Sequence, residues 1–330
     1  MTTRILVTGG AGFIGSAYVR ALLGPSGPGG PGGVAVTVLD ALTYAGHRAN
    51  LAPVRDHPAF RFVHGDIRDA ALAARLMTEH DEVVHFAAES HVDRSIRDGG
   101  LFASTNVLGT QVLLDAARLG GVRVFVHIST DEVYGSLADG SWPETHPVDP
   151  TSPYAASKAA ADLLALAQHR THGLDVRITR CSNNFGPYQF PEKLIPSFVI
   201  RLLEGGTVPL YGDGLHVRDW LHVDDHVRAV ELVRTRGAAG EVYNVGGGTE
   251  LTNLALTRLI LEACGAGPDR IRHVADRKGH DRRYSVDWTK IRTRLGYAPR
   301  ADFPAALAAT VAWYRDHPDW WRPLRDRAAR

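Results

Sequence analysis

Residues 3–15 run an apolar strand, Thr-Arg-Ile-Leu-Val-Thr, straight into Gly-Gly-Ala-Gly-Phe-Ile-Gly. The spacing Gly10-x-Gly12-x-x-Gly15 is present, and Gly9-x-x-Gly12-x-x-Gly15 also fits. Glycine at such positions permits a tight turn, close approach of backbone to a pyrophosphate, and close helix–strand packing. The helix expected over 12–23 would present free N–H groups to phosphates. A second apolar run, Val36-Thr-Val-Leu39, ends on Asp40. A carboxylate there would hydrogen-bond a ribose diol and repel a 2′-phosphate, which favours NAD over NADP. A cap or turn aspartate is the plain alternative. Asp40 lies slightly beyond the usual distance of about 20 residues. The low-complexity stretch 24–33, expected as a flexible surface loop, accounts for the surplus. Asp66, after a third run at 60–63, sits where an adenine amine could be read, or is a turn residue after Gly65.

Further runs at 83–86, 124–128 and 176–179 alternate with helical stretches at 106–119 and 154–172. Runs this apolar, alternating with helices, predict an α/β fold of Rossmann type, a doubly wound parallel sheet covered on both faces. Beyond residue 180 glycine and proline recur, and helices resume at 251–264 and 305–315. The expected division is a dinucleotide-binding domain over 1–180, with 219–247 returning to it. A smaller C-terminal α/β lobe over 181–218 and 248–330 would bind substrate. With 330 residues, 44% of them hydrophobic, such a chain can bury its core without staples. Two cysteines make no disulfide framework, and a reducing cytoplasm fits. A net charge of +1 argues against nucleic acid or an anionic membrane as partner. No apolar run of membrane-spanning length occurs, and the N-terminus reads as a strand rather than a secretory leader. No Cys/His spacing fits a zinc site, so no metal is expected.

Ligands of such sheets bind at the strand C-termini. Tyr154-Ala-Ala-Ser-Lys158 places a phenol and an ammonium one turn apart on a helix face. The ammonium would favour the phenolate, and the tyrosine could then act as base on a carbinol. Ser129-Thr130-Asp131-Glu132 follows the run at 124–128 and sets two adjacent carboxyls beside a hydroxyl. Two carboxyls in one enclosed site split their pKa values, so one serves as base and the other as acid. That pair suits elimination of water; a helix-capping pair is the alternative. His85, His127 and His222 read as satisfied core residues, and Trp313, Trp320 and Trp321 as packing of a C-terminal helix.

These segments, with Ala87-Ala-Glu-Ser-His-Val-Asp-Arg-Ser95, Cys181-Ser-Asn-Asn-Phe-Gly-Pro-Tyr188, Pro191-Glu-Lys-Leu-Ile-Pro196 and Arg218-Asp-Trp220, resemble the extended short-chain dehydrogenase/reductase family over nearly the whole chain. Within it the chain is most similar to the nucleotide-sugar 4,6-dehydratases acting on dTDP-glucose. The resemblance implies that Tyr154 takes the C4 hydroxyl proton, Lys158 tunes it, and Thr130 holds the C4 oxygen. It implies that Glu132 removes the C5 proton and Asp131 protonates the departing C6 hydroxyl. It implies a bound NAD+ held by Gly9, Gly12, Phe13, Ile14, Gly15, Asp40, Leu42, Thr43, Asp66 and Ile67 on one side. Phe86, Ala87, Ala88, Ser90, Thr105, Tyr154, Lys158 and Asn184 would hold the other. Substrate positions implied in the same way are Ser90, Thr130, Asn183, Lys193, Leu194, Pro209, Leu210, Tyr211, Arg218, Asn244, Arg277 and His280. The family also implies a homodimer built on the helices at 106–119 and 154–172. The competing functions are another nucleotide-sugar 4,6-dehydratase, a 4-epimerase or decarboxylase that does not need both carboxyls, and an NAD-sensing regulator that needs neither them nor the Tyr/Lys pair.

Overall fold

The computed structural model describes residues 1–30 and 32–328. Pro31 of the glycine/proline stretch and residues 329–330 of the expected second lobe lie outside the described residues. The first half alternates as the apolar runs require: β1 Thr3–Thr8, α1 Phe13–Leu23, β2 Val34–Asp40, β3 Phe60–His64, α2 Ala70–Thr78 and β4 Glu82–His85. There follow α3 Val92–Arg97, α4 Gly99–Phe102, α5 Gly109–Gly120, β5 Val124–Thr130, α6 Pro153–His172 and β6 Val176–Cys181. The remainder comprises β7 Asn183–Phe185, α7 Leu194–Leu203, β8 Val208–Tyr211, β9 Val217–His222, α8 Val223–Arg236 and β10 Val242–Val245. It ends with β11 Glu250–Thr252, α9 Asn253–Ala263, β12 Ile271–Val274, α10 Thr289–Leu295, α11 Phe303–Asp316 and α12 Pro318–Ala328.

A seven-stranded sheet runs in the order β10-β6-β5-β4-β1-β2-β3, with every pairing parallel. All seven residues of β5 are buried, as a strand covered on both faces demands. On one face Val7, Val38 and Val126 pack with α1 and α8 through Val19, Leu22, Val230 and Val233. On the other, Leu6, Val83 and Phe125 meet α2, α5 and α6 through Leu76, Leu113 and Ala165. The order reverses between β1 and β4, and an open cleft forms at such a switch point.

A smaller group of elements stands over the strand C-termini. It holds a three-stranded sheet, β11-β9-β7, and the parallel pair β12-β8. Phe198, Ile260, Leu307 and Trp321 from α7, α9, α11 and α12 share one core there. From the stretch 219–247, α8 and β10 pack with the large sheet, whereas β9 pairs in the small one. Two expectations change. The helix expected over 106–119 begins as a wider π turn at Ala103–Leu108 before α5. Leu251 lies in β11, and the helix starts at Asn253 behind a Thr252 cap.

The glycine loop is locked by sterics. Gly9 has φ +69°, and a Cβ on it would lie 2.5 Å from the Ala87 backbone nitrogen. A Cβ on Gly15 would lie 2.3 Å from the Gly9 carbonyl oxygen. Gly9→Ala therefore meets both a left-handed backbone and a backbone clash. It is expected to cost about 2 kcal/mol or more, read as a lower urea midpoint at unchanged m-value.

Candidate active site

The cleft between the two groups of elements is lined first by the glycine loop, where Gly9, Gly12, Phe13, Ile14 and Gly15 face it. A Cβ on Gly12 would meet only the Gly9 carbonyl oxygen, at 3.3 Å, so this turn leaves room for a ligand's backbone-close approach. Asp40 closes β2, 8% exposed. Its Oδ2 accepts from the Ala11 N–H and its Oδ1 from the Leu42 N–H, each at 2.8 Å. Burial raises its pKa, and these two N–H groups pull it back. The turn role and a cleft-facing position thus coexist in one residue. Thr43, Asp66 and Ile67 continue the wall. Asp66 is clamped by Arg68 at 2.6 Å, and that hydrogen bond lowers its pKa. Leu42 packs instead against the large-sheet core, with φ +51°.

Phe86, Ala87, Ala88, Ser90 and Thr105 line the cleft beyond β4. The π turn explains how Thr105 gets there. Asn106, inside that turn, accepts from the Glu89 N–H at 2.8 Å and donates to the Glu89 carbonyl at 3.0 Å and the Ser157 hydroxyl at 2.8 Å. One side chain thereby fixes the loop after β4 to α6. His85 sits fully buried between the hydroxyls of Thr8 and Thr110.

Thr130, Asp131, Glu132, Tyr154 and Lys158 all reach the same cleft. Thr130 ends β5 and caps a 3-10 turn over Asp131–Tyr134, its Oγ1 accepting from the Glu132 N–H at 3.2 Å. Asp131 is 1% exposed, and its Oδ2 has no partner. Burial, then Glu132 and Asp219, holds its carboxyl well above the ordinary range. Glu132 is less enclosed. Burial raises it too, but Arg277, Arg218 and Lys193 pull it down. The surroundings treat the pair unequally: Asp131 is lifted well above the ordinary range, while the rise at Glu132 is opposed by three cations.

Tyr154 enters α6 behind a Ser152 cap, with Pro153 at the first turn. Burial, then Glu132 and Cys181, keeps it a phenol, with the Thr130 hydroxyl working the other way. Lys158 donates to the Ile128 carbonyl at 2.7 Å and lies 3.5 Å from His127 Nε2. Burial lowers its pKa to about 8. The Cys181 thiol, pushed up to about 12 by burial, is no nucleophile.

Asn183 faces the cleft with its Oδ1 buried and unpartnered. Asn184 also lines it, its amide donating to the Ser182 carbonyl and its Oδ1 lying 2.9 Å from His226 Nδ1. Lys193 heads α7 and donates to the Ser90 carbonyl at 2.7 Å. Arg218 is 5% exposed, lies over the Tyr284 ring at 4.0 Å, and exerts its charge on both carboxyls. Arg277 adds its charge to Glu132 and lies 3.8 Å from Asp93.

Other expected substrate positions stand off the cleft. Asn244 is fully buried, accepting from the Tyr134 hydroxyl at 2.9 Å and donating to the Trp142 carbonyl at 2.8 Å; the structure does not bring it to the ligand wall. Strand alternation in β8 turns Leu210 inward, at 1% exposure, and leaves Pro209 and Tyr211 outward. Leu194 packs on the small core. His280 stacks on His216 with ring centres 3.6 Å apart and bonds Asp276 at 2.6 Å. The donor atoms of His216, Asp276 and His280 lie within 4.8 Å of one another. That proximity is invisible in sequence spacing; within it His280 Nδ1 bonds Asp276, and among the described residues the His216 Nδ1 has no partner. Sequence reasoning also missed Glu89, Phe190 and Glu192, which line the cleft from motif stretches.

The comparisons with known proteins follow the same residues. The profile of the family described as GDP-mannose 4,6 dehydratase matches residues 6–310. A dTDP-glucose 4,6-dehydratase of Streptomyces griseus is 64% identical over 324 residues, covering 98% of both chains. The chain belongs to the dTDP-glucose 4,6-dehydratase family. A second such dehydratase, of Streptomyces antibioticus, is 63% identical over 98% of this chain and 96% of its own. The crystal structure of the family member DesIV from Streptomyces venezuelae, with NAD and TYD bound, superposes with TM-score 0.95. It is 61% identical and covers 98% of this chain and 100% of that one.

The raised Asp131 carboxyl carries a sign for stability. Between the ordinary aspartate value of about 4 and its raised value, the folded chain binds more protons than the unfolded one. Stability therefore falls as pH rises through that window. Asp131→Asn removes the loss. The variant is expected to melt higher than wild type near neutral pH, with the gap closing as pH falls towards about 4; melting curves across that range check it.

Proposed function

We propose that this chain converts dTDP-glucose to dTDP-4-dehydro-6-deoxy-D-glucose, with NAD+ resident throughout. The observation that carries the reading is the carboxyl pair that lines one cleft with Tyr154 at the end of β5, Asp131 lifted well above the ordinary range and Glu132 lifted against the pull of three cations. The cleft fits the dinucleotide: an open glycine turn at Gly12, a carboxylate at Asp40, and unpartnered polar atoms on Asn183 and Asp131. The glycine loop with Phe13 and Ile14 would take the pyrophosphate, Asp40, Thr43, Asp66 and Ile67 the adenosine, and Phe86 to Ser90, Thr105, Lys158 and Asn184 the nicotinamide half. When bound, NAD+ accepts a hydride from C4 of the sugar and gives it back at C6.

The chain's own groups move the protons. Tyr154 receives the C4 hydroxyl proton, while Thr130 holds that oxygen. The Tyr154 phenol must ionise for this step, and a cation beside it lowers that cost. The C4 ketone acidifies the C5 hydrogen, and Glu132, whose carboxylate form is favoured by Arg277, Arg218 and Lys193, removes it. Asp131, held protonated, gives its proton to the departing C6 hydroxyl, and water leaves; the hydride returned at C6 is matched by a solvent-derived proton delivered to C5 through Glu132. Lys193, Arg218 and Arg277 supply positive charge for the diphosphate, with Asn183 on the cleft wall and Tyr211 and His280 outside that wall, under the charge of Arg277. Asn244 fixes Tyr134 and Trp142 behind the site. The NAD-binding domain is taken as residues 1–180 with 219–247, less β9, which pairs in the small sheet, and the sugar-nucleotide lobe as 181–218 with 248–328, less α10, which packs on the large-sheet core.

Among the described residues no helix is long and apolar enough to cross a membrane, and a cytoplasmic location is the reading adopted. Leu108, Leu119 and Leu163 are 55%, 75% and 56% exposed on the helices at 103–120 and 153–172. Apolar exposure of this kind supports a homodimer through those two helices. Light scattering is expected to give twice the chain mass, and Leu163→Glu with Leu119→Glu to give monomer.

Incubation of the protein with dTDP-glucose in deuterated water, without added reductant, is expected to yield a product one water lighter with one solvent deuterium at C5. Glu132→Gln is expected to lower kcat about a hundredfold or more and leave the bound dinucleotide reduced. An isomer of unchanged mass would replace this reading by epimerisation.

A further inference from the structure

One buried carboxylate outside the catalytic set ties the two walls of the cleft together. The loop after β2 lines the cofactor side with Thr43 and Gly46, and the loop before α7 lines the opposite side with Phe190 and Glu192. Between them, the Tyr44 hydroxyl donates to Glu192 Oε1 at 2.8 Å. Arg94, from α3, donates to Glu192 Oε2 at 3.3 Å and lies over the Tyr44 ring at 3.8 Å. The Tyr44 and Phe190 rings meet edge to face at 5.4 Å. The Glu192 side chain is 6% exposed and Arg94 is 23% exposed. Three separate segments thus converge on one enclosed carboxylate, where hydrogen bonds to charged groups are strong.

The two loops so joined carry the only positive-φ residues other than glycine among the described residues, Leu42 at +51° and Tyr188 at +68°. Such backbone persists only where the surroundings over-determine it. Leu42 is held by its N–H to Asp40. Tyr188 is held under the Arg20 guanidinium at 4.2 Å and against Trp313 at 4.5 Å. A second tie runs alongside: Trp320 of α12 donates to Asn50 Oδ1 at 2.9 Å, and Asn50 donates to the Ala11 carbonyl within the glycine loop at 2.9 Å. The chain closes its small lobe onto the cofactor loops, and Glu192 is the polar centre of that closure.

We propose that Glu192, gripped by Tyr44 and Arg94, is a latch that retains the dinucleotide between turnovers. The inference rests on the reading of the cleft as an NAD+ site. A reaction that returns its hydride needs no exchange of cofactor, so a chain running it gains from slow release and loses activity whenever the dinucleotide escapes. Neither Tyr44 nor Arg94 lines the cleft floor or faces the carboxyl pair; their contribution is to hold the opposite wall. Glu192 also precedes Lys193, whose ammonium holds the Ser90 carbonyl, so the latch seats that cation on the same wall.

Protein loaded with radiolabelled NAD+ and diluted into excess unlabelled NAD+ tests this by filter retention over time. Tyr44→Phe removes one hydrogen bond to the carboxylate and keeps the ring under Arg94. Glu192→Gln removes the charge and keeps the shape. Each is expected to release label about tenfold faster than wild type, in line with loss of a hydrogen bond to a charged group. Activity lost on dilution is expected to return on adding NAD+. Label released by both folded variants at the wild-type rate overturns the latch alone. Wild type that holds no label overturns the cofactor reading together with it. If Glu192→Gln does not fold, the Tyr44→Phe rate decides.

Discussion

The backbone at Gly9 lies so close to that at Ala87 that no side chain fits between them. This contact joins the ends of β1 and β4, the two strands between which the sheet reverses its winding. Because the loops there turn away from each other, a cleft opens along the C-terminal edge. The glycine loop, the Asp40 turn and the loop after β4 are all placed by that approach. Asp40 reinforces it by accepting from the Ala11 N–H, inside the glycine loop, so the second strand fixes the first.

Around this frame, enclosure decides the chemistry. The same burial that lifts Asp131 also lifts Glu132, yet only Glu132 faces three cations from the second group of elements. Asymmetry between two neighbouring carboxyls therefore comes from residues more than sixty positions away in the chain. Deeper in, Asp162 follows Tyr154 and Lys158 on α6 at four-residue intervals. Burial pushes its carboxyl up, but Arg180, His127 and Lys158 outweigh it and hold it at about 2. His127, beside both Lys158 and Asp162, is driven down to about 4 by burial and stays neutral. Asp162 thus offsets part of the charge of the enclosed Lys158 and Arg180, and burial lowers Lys158 further.

Closure of the small lobe completes the site through few polar contacts. Glu192 with Tyr44 and Arg94, and Trp320 with Asn50, span the cleft from different elements. The aromatic cluster of Tyr188, Trp313, His317 and Trp320 packs behind them. The tryptophans read from sequence as helix packing therefore also tie the C-terminal helices to the cofactor lobe.

The sequence by itself determined the parallel sheet, the glycine turn and the catalytic groups, because each is a local pattern. Apolar runs of strand length, glycines at a fixed spacing, and Tyr154 one helical turn from Lys158 need no partner elsewhere to be seen. The π turn that brings Thr105 to the cleft is not legible in this way, since it depends on Asn106 finding Glu89 and Ser157. Burial of Asn244 follows from the segment after β5 folding Tyr134 and Trp142 over β10, and the inward turn of Leu210 from the face that β8 buries. Tertiary structure supplied the physical reason for the assignment of acid and base that the resemblance implied. Adjacent carboxyls share a local setting, and it is the enclosure of Asp131 and the unequal pull of Arg218, Arg277 and Lys193 in a water-poor cleft that separate them.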